Sequence, residues 1–227
     1  IWKMFLATAV MSIAVCLCTG MSVFAEKVTG EIAEGFTWEV DTDSQTLTIT
    51  GEGPLPNFNQ DYHDDKLWKS YESSLHHLIL EGVTDTEAFS GTLGTLFDTA
   101  EGTFSGFAWE ANSASATVTV TGSGEVPAAP WIDAVDFPGD GKINYIFNDG
   151  ITGISGIGYP TGRIEAGKDF QSLDPLKQAS GPVTISEDNP YYASYEGCVY
   201  SKDMSKLFYC PYGIEAPTLY SGVKTIA

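Results

Sequence analysis

The sequence predicts a mainly β fold made of tandem β-hairpin modules with few short helical turns. The stretch FTWEVDTDSQTLTITGEG at residues 36–53 returns as FAWEANSASATVTVTGSG at residues 107–124. In both copies apolar residues alternate with threonine, which is typical of a half-buried strand. A small hairpin cannot bury its own apolar face, so modules in a row are expected to supply one another's core.

Residues 1–25 are predicted to be a secretory signal peptide. The apolar run from Phe5 to Cys18 follows Lys3, and the segment ends in small residues around Ala25 that suit cleavage by signal peptidase. The run is shorter than the ~20 residues that a bilayer requires. We therefore expect a secreted or cell-surface protein, cleaved after Ala25 and with no membrane insertion afterwards.

Residues 26–100 are predicted to form the first β module, which ends with one degenerate repeat. Its aromatic strand begins at Phe36 and passes through a polar turn into the threonine strand. The closing Gly51-x-Gly53 predicts a bulge or a turn with positive φ where the chain leaves the sheet. The segment LHHLILEGVT then supplies a third strand.

Residues 101–152 are predicted to form the second β module in the same order, with KINYIFNDGIT as its third strand. Four tryptophans occupy matching positions in the two modules. Because a bulky ring is the main apolar contribution of such a site, we expect them to be core residues. They are Trp38, Trp68, Trp109 and Trp131.

Residues 153–227 contain a strand, an Asn-Pro turn and a hairpin in VTISEDNPYYASYEGCVYSKDMSKLFYCPYG. Folding the hairpin about Met204 places Tyr200 opposite Phe208 and Cys198 opposite Cys210, all on one face. Two interpretations of the cysteines stay open. Export permits a cross-strand disulfide, whereas directly paired strand positions often strain that bridge and favour two buried thiols.

Tyr191, Tyr192 and Tyr195 are the candidate ligand contacts. They lie at the Asn-Pro turn, which itself requires only Asn189 and Pro190. Tyrosines on loops suit recognition of proteins or glycans. We therefore expect a protein or glycan ligand at this turn.

Three segments of the chain resemble the BspA-like leucine-rich-repeat surface proteins of bacteria. Residues 36–84 and 107–152 resemble the segment that precedes the repeats in that family, with its Trp, its Leu-Thr-Ile-x-Gly-x-Gly pattern and its Gly-Val-Thr ending. The segment from Ile185 to Gly213 resembles the family's repeat, with Asn-Pro-Tyr-Tyr at residues 189–192. Glu196 stands where the family usually has Asp, and the regular coils between modules are degenerate.

The resemblance implies that the modules lead into a degenerate leucine-rich-repeat-type solenoid at residues 153–227, continuing beyond this fragment. It also implies a secreted or surface-displayed protein that binds host or neighbouring-cell macromolecules without catalysis. Two other functions remain open. One is a carbohydrate-binding accessory region of a larger cell-wall or glycan-degrading enzyme, and the other is a structural spacer.

Several classes of function are not expected. The formal charge of −19 repels a phosphate backbone, so nucleic acid is not a predicted partner. The histidines are His63, His76 and His77, and the last two point to opposite faces of a predicted strand. The acidic loop from Asp136 to Asp140 lacks the ligand set of a calcium loop. We therefore predict no catalytic residue, cofactor or metal.

Overall fold

The computed structural model describes residues 27–56, 68–86, 97–137, 142–157 and 161–227. The predicted signal peptide, His63 and Asp140 lie outside these residues. Within them the chain forms strands, one short 3-10 helix and one single-turn α-helix. The predicted mainly β fold class is confirmed. No helix in the described ranges is long and apolar enough to cross a membrane.

The first module begins with an antiparallel meander of three strands, β1 to β3. A 3-10 helix at Lys69–Ser74 then leads into β4, which pairs with β3 in parallel. The chain leaves the meander at Gly53, whose φ of 103° is the positive value that the sequence predicted there. The strands are β1 (Lys27–Ala33), β2 (Phe36–Asp41), β3 (Thr46–Pro54) and β4 (His77–Asp85).

The second module repeats this order. An antiparallel meander of β5, β6 and β7 is followed by β9, which pairs with β7 in parallel. Strand β5 also pairs in parallel with β4, so one sheet continues from the first module into the second. The strands are β5 (Thr99–Phe104), β6 (Phe107–Asn112), β7 (Thr117–Thr121), β8 (Gly124–Val126) and β9 (Ile143–Phe147).

The last third of the chain adds parallel strands to the same sheet. The order of the ten-stranded main sheet is β1-β2-β3-β4-β5-β6-β7-β9-β11-β12. Strands β8 and β10 form a small parallel pair beside it, and the last four strands form a separate sheet. The remaining elements are β10 (Ile151–Ile154), β11 (Thr161–Ala166), α1 (Leu173–Leu176), β12 (Val183–Ile185), β13 (Tyr192–Tyr195), β14 (Cys198–Ser201), β15 (Lys206–Tyr209) and β16 (Thr225–Ile226).

Within the main sheet, each module holds one strand more than the sequence pattern indicated. Strands β1 and β5 precede the predicted aromatic strands, and neither shows a strong apolar alternation. Each instead carries a glycine opposite a tryptophan, in the register pairs Gly30–Trp38 and Gly102–Trp109. The indole ring covers the glycine across the strands, which is a known way to compensate for glycine in a sheet.

The core lies on one face of the main sheet. All four repeated tryptophans are buried there. Trp38 contacts Trp68 edge to face at 6.1 Å between ring centroids, and Trp109 lies 5.9 Å from Trp131. From Trp131 the aromatic contacts continue through Tyr145, whose burial raises the pKa of its hydroxyl to about 12. Such pairs add to the free energy gained from burial.

The hairpin of β14 and β15 turns through Met204, whose φ is 59°. The predicted pairing of Tyr200 with Phe208 is wrong, because the register shifts by one residue next to Val199. Tyr200 pairs with Leu207 instead, and Phe208 packs against the main core. An extra residue in one strand produces this change of face.

The two cysteines of this hairpin, Cys198 and Cys210, are joined by a disulfide, and their Cα atoms lie 4.3 Å apart. Cys198 is fully buried in a small second cluster with Tyr200 and Leu207. The bridge therefore joins β14 and β15 at the end of the hairpin opposite the Met204 turn.

Candidate binding surface

The main sheet has one face covered by the core and one that no described element covers. Side chains alternate across each strand, so that Leu47 and Ile49 of β3 are fully buried while Thr48 and Thr50 point the other way. We call this second side, formed by the outward-pointing residues of the ten strands, the open face. Threonine and glutamate dominate it, and it carries no outward Phe, Tyr or Trp in the described strands.

A single line of paired residues crosses the open face from one edge of the sheet to the other. We call it the central row. At the usual strand separation its ten members extend over roughly 40 Å. In sheet order they are Thr29, Glu39, Thr48, Ile79, Glu101, Glu110, Thr119, Ile146, Glu165 and Thr184.

The central row contains the order Glu–Thr–Ile–Glu twice. The first copy runs from Glu39 to Glu101 and the second from Glu110 to Glu165. Equivalent residues are four strands apart, or about 19 Å. Several other outward positions differ between the modules, such as Thr37 with Ala108 and His77 with Asn144, whereas Thr50 and Thr121 agree. Outward residues do not fill the core, so core packing alone does not require the Glu–Thr–Ile–Glu order to recur.

Three shallow depressions adjoin one another on the open face. The first, of about 300 Å³, lies over the facing pair Glu101 and Glu110. The second contains Glu165, and the third reaches to Glu52 near the edge of the first module. Thr121 lines all three, so they are neighbours on the sheet, and we call them together the trough.

The outer glutamates of the central row are paired with cations of this chain. Lys27 Nζ lies 2.6 Å from Glu39 Oε1, and Arg163 lies 3.5 Å from Glu165. The hydrogen bond to Glu39 raises the pKa of Lys27.

The inner glutamates of the central row are not paired in this way. Glu101 and Glu110 face each other directly across β5 and β6, and no lysine or arginine of the described chain pairs with either. The nearest basic group to Glu101 is His77, at 3.9 Å. Its Nδ1 lies 2.7 Å from the Thr99 hydroxyl. The middle of the open face is therefore acidic.

The predicted tyrosine contacts do not form one surface. Tyr192 and Tyr195 are three residues apart on β13 and point to opposite faces. The Tyr192 hydroxyl donates to the Gln171 carbonyl at 2.9 Å, and burial raises its pKa, so this residue is tied into the structure. Tyr195 is 37% exposed and packs against Tyr220 at 5.8 Å. Tyr191 is 48% exposed, beside Tyr192.

The described residues contain no cluster of three or more His, Cys, Asp or Glu side chains that suits a metal ion. His76 lies before β4, with Nδ1 3.2 Å from Asp98, whereas His77 lies on the open face. The absence of a cofactor and of catalysis stays a prediction, because these observations do not test it.

None of the glutamates of the central row was predicted from the sequence to bind a partner. A signal was present in the strand centres, where Trp38-Glu39-Val40 matches Trp109-Glu110-Ala111 and Leu47-Thr48-Ile49 matches Val118-Thr119-Val120. The outward residue of each triplet is the same in both modules. Placing these triplets side by side requires the strand order of the sheet, which the sequence does not give.

Comparison with known protein families finds no match, and no curated protein matches the chain. Among solved structures, the chain is similar to a leucine-rich repeat protein from Eubacterium ventriosum, with 15% identity and a TM-score of 0.39. The similarity covers 88% of this chain and 56% of that protein, so the chain spans little more than half of its length. At this level the similarity transfers none of that protein's properties to this one.

Proposed function

We propose that the protein is an exported, non-catalytic repeat protein that binds a macromolecular partner on its open face. The observation that supports the proposal is the twofold Glu–Thr–Ile–Glu order in the central row. Repeated, solvent-facing side chains at a fixed spacing suit a long partner that makes the same contact more than once.

The size of the open face suits a macromolecule. Ten strands extend over roughly 40 Å, and the longer strands carry three outward positions, which give a width of up to roughly 20 Å. The resulting area is at most roughly 800 Å², close to what one partner contributes to a stable protein interface. The trough is shallow and open, whereas sites for small molecules are enclosed and mostly apolar.

The composition of the open face favours a protein over a glycan as the partner. It offers hydroxyl groups, carboxylates and the two aliphatic side chains of Ile79 and Ile146. It offers no aromatic ring in the described strands on which a sugar would stack. A carbohydrate-binding accessory region would instead rely on exposed tyrosines such as Tyr195, on the separate C-terminal sheet, and Tyr220, in the loop before its last strand.

The test is a binding screen with an obstructed variant. Native protein is immobilised and exposed to a panel of purified extracellular proteins, cell-wall glycans and mucin glycans, with binding measured by interferometry. Thr119→Trp places a large ring in the middle of the central row. Thr218→Trp makes the same change at an exposed loop residue outside the main sheet and is the matched control.

We expect at least one protein of the panel to bind, Thr119→Trp to weaken that binding at least tenfold, and Thr218→Trp to bind as the native protein does. The proposal would be overturned if the Thr119→Trp variant binds as well as the native protein. It would also be overturned if no member of the panel binds the native protein. Glycan binding that is lost in Tyr195→Ala and retained in Thr119→Trp would establish the accessory-region alternative instead.

A further inference from the structure

We infer that the partner of the open face is an extended, lysine- or arginine-rich protein segment, with a cationic side chain held between Glu101 and Glu110. This inference rests on the proposed function and specifies the chemistry of the partner. It is carried by the charge of the sheet face, by the ion pairs at its two outer glutamates and by the apolar residues on either side of the inner pair.

The inner glutamates are placed at a cost to folding. In an antiparallel pair the Cβ atoms of directly opposite residues are about 5 Å apart, and like charges at such positions repel each other. Glu81 lines the same depression and adds a third carboxylate. A cation from a partner removes the repulsion between Glu101 and Glu110, so its binding is favoured in addition to the attraction that each carboxylate exerts.

The outer glutamates of the central row show how the same type of position binds a cation. Glu39 is paired with Lys27 and Glu165 with Arg163, both supplied by this chain. Two of the four glutamates in the repeated Glu–Thr–Ile–Glu order are therefore already paired with basic side chains of this chain. The inner two, Glu101 and Glu110, present the same group to solvent without a lysine or arginine from the described chain.

The residues beside the inner pair suit the rest of a basic side chain. Ile79 precedes Glu101 in the central row, and Ile146 lies two strands beyond Glu110. Both isoleucines are half-buried. Lysine and arginine place their aliphatic stems along apolar surface while the charged group stays near water or a carboxylate.

The charge of the whole chain acts in the same direction. A formal charge of −19 attracts cationic segments and speeds their association. Anionic glycans and nucleic acids are repelled, and neutral glycans gain hydrogen bonds but no charge attraction from the inner carboxylates. A basic protein segment is thus the one class that satisfies both the charge and the aliphatic contacts.

The experiment uses the whole protein and a fluorescein-labelled ten-residue peptide in which lysine alternates with serine. Fluorescence anisotropy gives the Kd at several salt concentrations. The test variant is Glu101→Gln with Glu110→Gln. The matched control is Glu34→Gln with Glu187→Gln, which changes the net charge equally at two exposed residues outside the central row.

We expect the test variant to bind the peptide 5- to 10-fold more weakly than the native protein, given the usual strength of exposed ion pairs, and with a smaller dependence on salt. The control is expected to change the Kd less than twofold. The test variant is also expected to melt no lower than the native protein, since it removes a like-charge pair, so that weaker binding does not reflect unfolding.

Equal weakening in the test variant and the control would overturn the inference, because attraction would then depend only on net charge. So would unchanged peptide binding in the test variant. The proposed function is judged separately, with Thr119→Trp. If this variant loses the panel partner while Glu101→Gln with Glu110→Gln binds that partner normally, the open face is a binding surface that does not recognise a cation.

Discussion

Asn189 is a buried side chain whose hydrogen bonds are all satisfied within the chain. Its Nδ2 donates to the carbonyls of Gly167 and Phe170, at 3.1 and 2.7 Å. Its Oδ1 accepts from the backbone N–H groups of Tyr191 and Tyr192, both at 2.9 Å. The sequence indicated a turn at this residue, and the structure shows that the same side chain also holds the preceding coil.

Replacing Asn189 with alanine is expected to lower the free energy of unfolding by about 3 kcal/mol. The change leaves two carbonyls and two N–H groups without their partner, and each buried unsatisfied group costs about 1–3 kcal/mol. Urea denaturation measures the loss. Asn112→Ala, which removes an exposed side chain bonded to Ser115, is expected to cost less than about 1 kcal/mol. Equal losses in the two variants would contradict this role.

Gly102 is the second residue whose identity the structure explains. A Cβ atom at this position would clash with the backbone carbonyl oxygen of Leu80 on the neighbouring strand and would lie 2.8 Å from Nε1 of the buried Trp109. Gly102→Ala is therefore expected to lower the free energy of unfolding by about 1–3 kcal/mol, as overpacking does in well-packed cores. The neighbouring outward change Thr103→Ala provides the comparison in thermal unfolding. A Gly102→Ala protein as stable as the native one would contradict this explanation, because both the Leu80 backbone and Trp109 would then have to shift without cost.

At the scale of elements, the turn of the β14–β15 hairpin is held by the carboxylate of Asp203. It accepts hydrogen bonds from the Ser201 hydroxyl at 2.6 Å, from the Ser205 N–H at 3.1 Å and from the Ser205 hydroxyl at 2.8 Å. These bonds, the one from Ser201 first, lower the pKa of Asp203 to about 2 from its ordinary 3.8. The turn is thus stabilised by the charged form of this residue.

The sign of the pH dependence follows from the lowered pKa. The contribution of Asp203 is fully present above about pH 4 and is lost as the pH falls towards 2, where the folded protein takes up the proton. Thermal unfolding between pH 5 and pH 2 is expected to show a smaller acid-induced loss in Asp203→Asn than in the native protein. Ser205→Ala is expected to act in the same direction but more weakly. An identical acid response in Asp203→Asn would contradict the assignment.

At the scale of the whole molecule, the two modules share one sheet. Strand β4 pairs in parallel with β3 of the first module and with β5 of the second, and Leu80 at its centre is fully buried. In repeat proteins stability resides largely in such contacts between neighbours. The modules are therefore expected to unfold together.

Leu80→Ala tests this coupling. Removing a fully buried leucine is expected to cost about 2–5 kcal/mol. Hydrogen exchange is expected to show the loss of protection in both meanders, at β2 and β3 as well as at β6 and β7. Thr48→Ala, on the open face of the neighbouring strand, is expected to leave both meanders protected. Loss confined to the first meander would show that the modules unfold independently.

The sequence alone predicts the strands whose apolar residues alternate, because the burial of every second side chain is a local property of extended backbone. It also predicts that Trp38 and Trp109 are equivalent, since both follow the same Gly-Phe pair. Strands β1 and β5 were missed because what marks them is a glycine beneath a tryptophan on the next strand. The shift that separates Tyr200 from Phe208 was missed because a bulge depends on the partner strand.

Which outward residues lie side by side depends on how distant segments pair in the folded chain. Glu101 and Glu110 are neighbours through a hairpin, but their place between Ile79 and Ile146 depends on the parallel pairs β4–β5 and β7–β9, which join segments far apart in the chain. The register of those pairs is set by hydrogen bonds and by core packing on the opposite face, and a shift of one residue would turn every outward side chain inward. The candidate binding surface is therefore a product of register, which no single segment of the sequence contains.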